Sequence, residues 1–147
     1  MPLFRIFMVS MSKTVLLTEF EYDFKLIGIS THSKDYRLCW EINKKFGVQL
    51  YKEKDVLFSS KKGDTANFSM YFYQNEMEEK DLRLISNKSS GIILVPESKP
   101  SDFFLMFYDY DNFEISEMLR EIRKINIVLT AFEVEVSTLK SKDNLLF

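Results

Sequence analysis

Apolar positions along this chain change period several times, and each change marks an element. Over residues 24–30 both alternating faces are apolar, Phe24 and Leu26 on one and Ile27 and Ile29 on the other, which reads as an interior strand. Gly28 within it leaves room for another element to approach closely. Ser33 is placed to cap a helix that runs to Phe46, with Gly47 positioned to end it. Leu38, Cys39, Ile42 and Phe46 form the apolar stripe of that helix, and Arg37, Glu41, Lys44 and Lys45 fall opposite. Beyond Gly47 the period drops to two. Residues 48–51 and 56–58 read as short strands, residues 61–64 as a turn, and residues 67–73 as a strand. In that strand Phe68, Met70 and Phe72 alternate with Ser69, Tyr71 and Tyr73, giving a buried face and a tyrosine face.

Residues 82–86 and 92–95 read as a further strand pair around the polar link 87–91, and the apolar run 103–108 as a central strand. Asp111, with Glu114 three residues later, resembles a capping box for a second helix over residues 113–124. Its stripe is Ile115, Met118, Leu119, Ile122 and Ile125; acidic residues lie early and Arg123 and Lys124 late, as the helix dipole favours. Residues 127–136 close the pattern as a long strand, with Val128, Thr130, Phe132, Val134 and Val136 on one side and Glu133 and Glu135 on the other. Strand, helix, several strands, helix, strand implies an α+β fold: a largely antiparallel sheet with two helices on one face. A ferredoxin-like β-α-β-β-α-β core with an inserted hairpin is the topology this order favours. Residues 1–13 read as a disordered or mis-assigned extension, 14–139 as a single domain, and 140–147 as a loose tail whose Leu145, Leu146 and Phe147 could dock.

Between two of the predicted strands lies Val95-Pro96-Glu97-Ser98-Lys99-Pro100-Ser101-Asp102-Phe103. This run resembles the signature I-P-E-x-x-x-V-D-Y of a small bacterial family named after it, the IPExxxVDY family. Pro96, Glu97 and Asp102 match, Val95 and Phe103 are close replacements, and Ser101 departs from the pattern. The resemblance extends to residues 24–30 and 34–40 and covers most of the chain from about Met11 onward. It implies a family and no activity. The two prolines restrict the backbone and interrupt strand pairing, while Glu97 and Asp102 can accept N–H groups that a turn leaves unpaired. Pro96, Glu97, Asp102 and Phe103 are therefore expected to form a structural turn.

Composition narrows the function. At 147 residues one core is the expectation, and 46% hydrophobic with 29% charged residues is ordinary for a folded soluble domain. A net charge of −2 provides no field for phosphate backbones, so nucleic acid is not an expected partner, although Lys52, Lys54, Lys61 and Lys62 form a local basic run. No segment approaches the roughly 18 apolar residues of a membrane span, and a single cysteine fits a reducing, cytoplasmic location. Aromatics at 15% exceed what a small core needs, which assigns some rings to an interface: Tyr71, Tyr73, Tyr108 and Tyr110, with Phe103 beside them, and Trp40 with Tyr36 as a second patch.

Chemistry is sparse. His32 and Cys39 cannot build a Cys/His zinc site alone, Cys39 falls on an apolar stripe, and the four glycines make no phosphate loop. No cofactor or metal site is expected. Carboxylates are the remaining candidates: Glu97, Asp102 and Asp109 for acid-base or Mg²⁺ work, with Asp111 and Asp35 better explained by helix starts. The expectation is a non-enzymatic domain that binds another protein or itself, with a carboxylate or Mg²⁺-dependent hydrolase at Glu97, Asp102 and Asp109 as the alternative.

Overall fold

The computed structural model describes residues 24–78, 80–108 and 114–147, so the expectations placed on residues 1–23, on Asp109, Tyr110 and Asp111 lie outside the described residues. In chain order the elements are β1 (Phe24–Thr31), α1 (Asp35–Phe46), β2 (Tyr51–Lys52), β3 (Val56–Ser59), β4 (Thr65–Phe68), β5 (Met70–Asn75), β6 (Lys80–Ser86), β7 (Lys88–Ser89) and β8 (Ile92–Ile93). A 3-10 turn (Pro96–Ser98), β9 (Phe103–Tyr108), α2 (Ile115–Arg123) and β10 (Val128–Val134) follow, then 3-10 turns at Val136–Thr138 and Lys142–Leu145.

Six strands form one antiparallel sheet in the order β10-β1-β9-β6-β5-β2. Since β1 and β6 are both antiparallel to β9, they run parallel to each other, with α1 between them in the chain. β9 and β10 are related in the same way across β1, through α2. These two interlocked split β-α-β units make β10-β1-β9-β6 a ferredoxin-like core, and β2 to β5 are the insertion within it. The insertion adds two strands to the β6 side of the sheet and folds β3 and β4 into a separate hairpin.

Both helices lie on one face, where Leu38, Cys39 and Ile42 of α1 and Leu119 and Ile122 of α2 close over Ile27, Ile29, Leu84 and Leu105. The opposite face is also covered: Leu26, Ile85, Phe104 and Met106 meet Phe68 of the hairpin, Leu94 and Val95, and Val136, Leu139 and Leu145. Apolar residues on both faces of β1 and β9 are thus explained by a sheet sandwiched between two layers. The expectation of a loose tail over residues 140–147 is corrected here. Leu145 is fully buried, and the Asn144 side-chain amide donates to the Leu94 carbonyl at 2.8 Å.

Three local expectations also change. Residues 82–86 do not pair with 92–95; β6 is an interior strand between β5 and β9, and β8 pairs with β7 in a small hairpin whose turn uses positive φ at Ser90 and Gly91. Ser33 does not cap α1: its N–H binds the Thr31 hydroxyl, while the Lys34 carbonyl takes the first helical N–H groups and Gly47, at φ 63°, ends the helix. In β10 the register slips so that Ser30 faces Thr130 but Thr31 faces Val128. The extra residue, Leu129, bulges out, which resets the alternation and sends Val128 with Ala131 to the helix face rather than with Phe132 and Val134.

Candidate functional site

The signature run is built around a residue outside it. Asn87, at the end of β6, is fully buried, and its amide donates to the carbonyls of Ser101 at 2.9 Å, Ser98 at 3.2 Å and Val95 at 3.4 Å. Its side-chain oxygen accepts the Val95 N–H at 2.7 Å, and its backbone binds Asp102 and Leu94. One asparagine therefore satisfies most of the backbone groups that the two prolines leave without a ladder. Pro96 opens the 3-10 turn, and Ser98 and Ser101, both buried, share a hydroxyl contact at 2.7 Å. The turn seats on β1 at Gly28. A Cβ there would collide with the Ser101 hydroxyl and lie 2.9 Å from the Phe132 ring, so the close approach expected of this glycine is real. Ser30 completes the seat by donating to the Pro100 carbonyl.

The two signature carboxylates face different neighbours. Asp102 Oδ2 accepts the Thr31 N–H at 2.9 Å, and Oδ1 accepts from the Lys88 ammonium at 2.8 Å. Thr31 in turn donates its hydroxyl to the Ile127 carbonyl at 2.6 Å, so Asp102 links the entry of β9 to the end of β1 and the approach to β10. Glu97 reaches the C-terminal segment instead, accepting the Ser141 N–H at 2.7 Å and the Ser141 hydroxyl at 2.8 Å. Burial pushes the Glu97 carboxyl up, but the Ser141 hydrogen bonds outweigh it and leave it below its ordinary value. Phe103 is buried on the helix face of β9. Asn87 was missed by sequence reasoning because an asparagine after an apolar strand looks like any loop residue.

The aromatic set divides rather than forming one surface. Tyr71 is buried in the helix-side core, where burial and then the Asp35 carboxylate push its phenol up to about 12. Tyr73 packs on the same side and its hydroxyl is held by Glu78 and Asn75. Tyr108 points to the other face of the sheet, its ring 5.2 Å from Phe24 and 4.3 Å beneath the Arg83 guanidinium. The tyrosine face expected of residues 67–73 is thus corrected: the strand breaks at Ser69, and β5 turns its tyrosines toward the helices. Trp40 and Tyr36 differ. They lie four residues apart on the outer face of α1, 54% and 64% exposed, with Arg37 5.7 Å and Lys44 5.0 Å from the Trp40 ring centre.

Other candidates are occupied or inert. Cys39 is buried, and burial followed by Asp35 pushes its thiol up to about 11, which suppresses the thiolate. Lys52 is paired with Asp55, and Lys61 and Lys62 sit in the β3–β4 turn. Among the described residues no group of three or more His, Cys, Asp or Glu side chains is gathered as a metal ion would need, and no helix is long and apolar enough to cross a membrane. Compared with models of protein families, with curated proteins and with solved structures, the chain matches none.

Proposed function

We propose that this chain is a non-enzymatic protein-binding or self-associating domain whose docking surface is the outer face of α1. The observation that carries the reading is Trp40, a large ring more than half exposed beside Tyr36 and bracketed by Arg37 and Lys44. Tryptophan, tyrosine and arginine are enriched among the residues that dominate interface binding energy, and the rings of the first two bury area with little loss of rotamer freedom. The helix beneath is fixed to the sheet by Leu38, Cys39 and Ile42, so the patch is presented on a rigid support. The carboxylate hydrolase reading has less support, because Glu97 and Asp102 each spend both oxygens on groups of their own chain. The resemblance to the IPExxxVDY family fits the same division, with the signature as a fold determinant.

Sedimentation equilibrium and affinity capture, run in parallel on the wild type and on Trp40→Ala, test the proposal. We expect self-association or an enriched protein that the variant loses by about tenfold or more, with its thermal midpoint unchanged. A strictly monomeric wild type without an enriched partner overturns it, as does binding that Trp40→Ala leaves intact.

A further inference from the structure

Beside Trp40 a cleft of about 380 Å³ opens between the later turns of α1 and the end of α2, lined by Glu41, Lys44, Lys45, Lys124, Ile125 and Asn126. Lys44 belongs to both features: it lines the cleft and its ammonium lies over the Trp40 ring, which places the ring next to the cleft. Ile125, 5% exposed, supplies an apolar floor. Lys45 at 3.9 Å and Lys124 at 2.8 Å share a single carboxylate, Glu121. Exposed ion pairs of this kind are held weakly and exchange readily with an incoming carboxylate. Around the cleft and ring, Arg37, Lys44, Lys45 and Lys124 are answered by Glu41 and Glu121, a local excess of positive charge on a chain whose net charge is −2.

We propose that this surface takes an acidic peptide segment of a partner protein: carboxylates at the lysines, one apolar side chain on Ile125, and the segment's flank against Trp40. The inference deepens the docking surface assigned above and rests on it. Charge complementarity selects the sign of the occupant. A peptide is favoured over a nucleic acid because Glu41 and Glu121 would oppose a regular line of phosphates, whereas a peptide can place its carboxylates only where lysines lie.

Trp40 is the only tryptophan of the chain, so its intrinsic fluorescence reads the surface directly. The probes are a synthetic peptide of Glu-Glu-Leu repeats, its Lys-Lys-Leu counterpart, a single-stranded RNA oligonucleotide and phosphatidylglycerol vesicles. We expect a saturable change with the glutamate peptide that weakens as salt rises, falls about tenfold or more in Lys44→Glu/Lys124→Glu, and falls less in Lys44→Gln/Lys124→Gln, both variants melting near the wild type. Equal binding of the glutamate peptide by wild type and charge-reversed protein, no saturable change at all, or tighter binding of the lysine peptide, the RNA or the vesicles overturns the inference. Any of those results leaves the α1 docking surface to be judged separately, by the loss of the captured protein in Trp40→Ala.

Discussion

The signature turn and the outer face of α1 handle their chemistry in opposite ways. In the turn, Asn87, Ser98, Ser101, Glu97 and Asp102 all direct their side chains onto groups of the same chain. On α1, Trp40 and Tyr36 direct large rings to solvent, and the groups around them are exposed cations rather than core. The turn resembles a family signature and looks, as a string of letters, like the place for chemistry; the α1 face has no motif. Hydrogen bonding counts against that impression, because polar groups already bonded within the fold have less to offer a ligand.

The sharpest way to break the comparison is Asn87→Ala. The variant strands the Val95 N–H and up to three carbonyls in a fully buried setting, so we expect a loss of about 3 kcal/mol or more and a fall in thermal midpoint of roughly 10 °C. Binding through α1, measured well below the new midpoint, should persist. A variant that melted like the wild type would show that the turn is held by other means.

A smaller effect sharpens the contrast. Asp102→Ala leaves the Thr31 N–H without its acceptor and should lower stability by about 1–2 kcal/mol, without change in partner binding. Trp40→Ala should do the reverse, within about 0.5 kcal/mol of wild-type stability and defective in binding. Chemical denaturation and a binding assay on the same preparations check both. If Asp102→Ala kept full stability yet lost an interaction or activity, the turn would be the functional site and the comparison would invert.

Periodicity made most of the fold legible. The stripes Leu38, Cys39, Ile42 and Leu119, Ile122, Ile125, and the doubly apolar runs of β1 and β9, translate directly into two helices on one face of an antiparallel sheet. Where the reading went astray, a non-periodic event intervened. The bulge at Leu129 shifted the alternation of β10, the break at Ser69 separated β4 from β5, and Leu145 found a pocket that only the assembled second layer provides. Which side chains lie exposed or buried was legible in part for the same reason. Trp40 and Tyr36 follow from helical spacing opposite an apolar stripe, whereas Asn87 acts through tertiary contacts up to Ser101 and leaves no local trace.

The smallest effect lies at Glu97, an exposed residue of the turn. Glu97 accepts the Ser141 N–H and hydroxyl, and these bonds hold its folded-state carboxyl below the ordinary value of 4.5 despite the opposing effect of burial. A carboxyl depressed on folding stabilises the native state fully above its unfolded value, and the contribution is lost as pH falls through the folded value. Ser141→Ala removes the hydroxyl bond and keeps the backbone one. Its deficit in thermal midpoint should therefore be largest near neutral pH and close as the solution is acidified below the ordinary carboxylate range. Because Glu97 is exposed, the deficit should be small, about 2 °C or less. Melting curves of both proteins across that range decide the point: a deficit unchanged from neutral to acid would mean that the Ser141 hydroxyl does not act through the ionised Glu97.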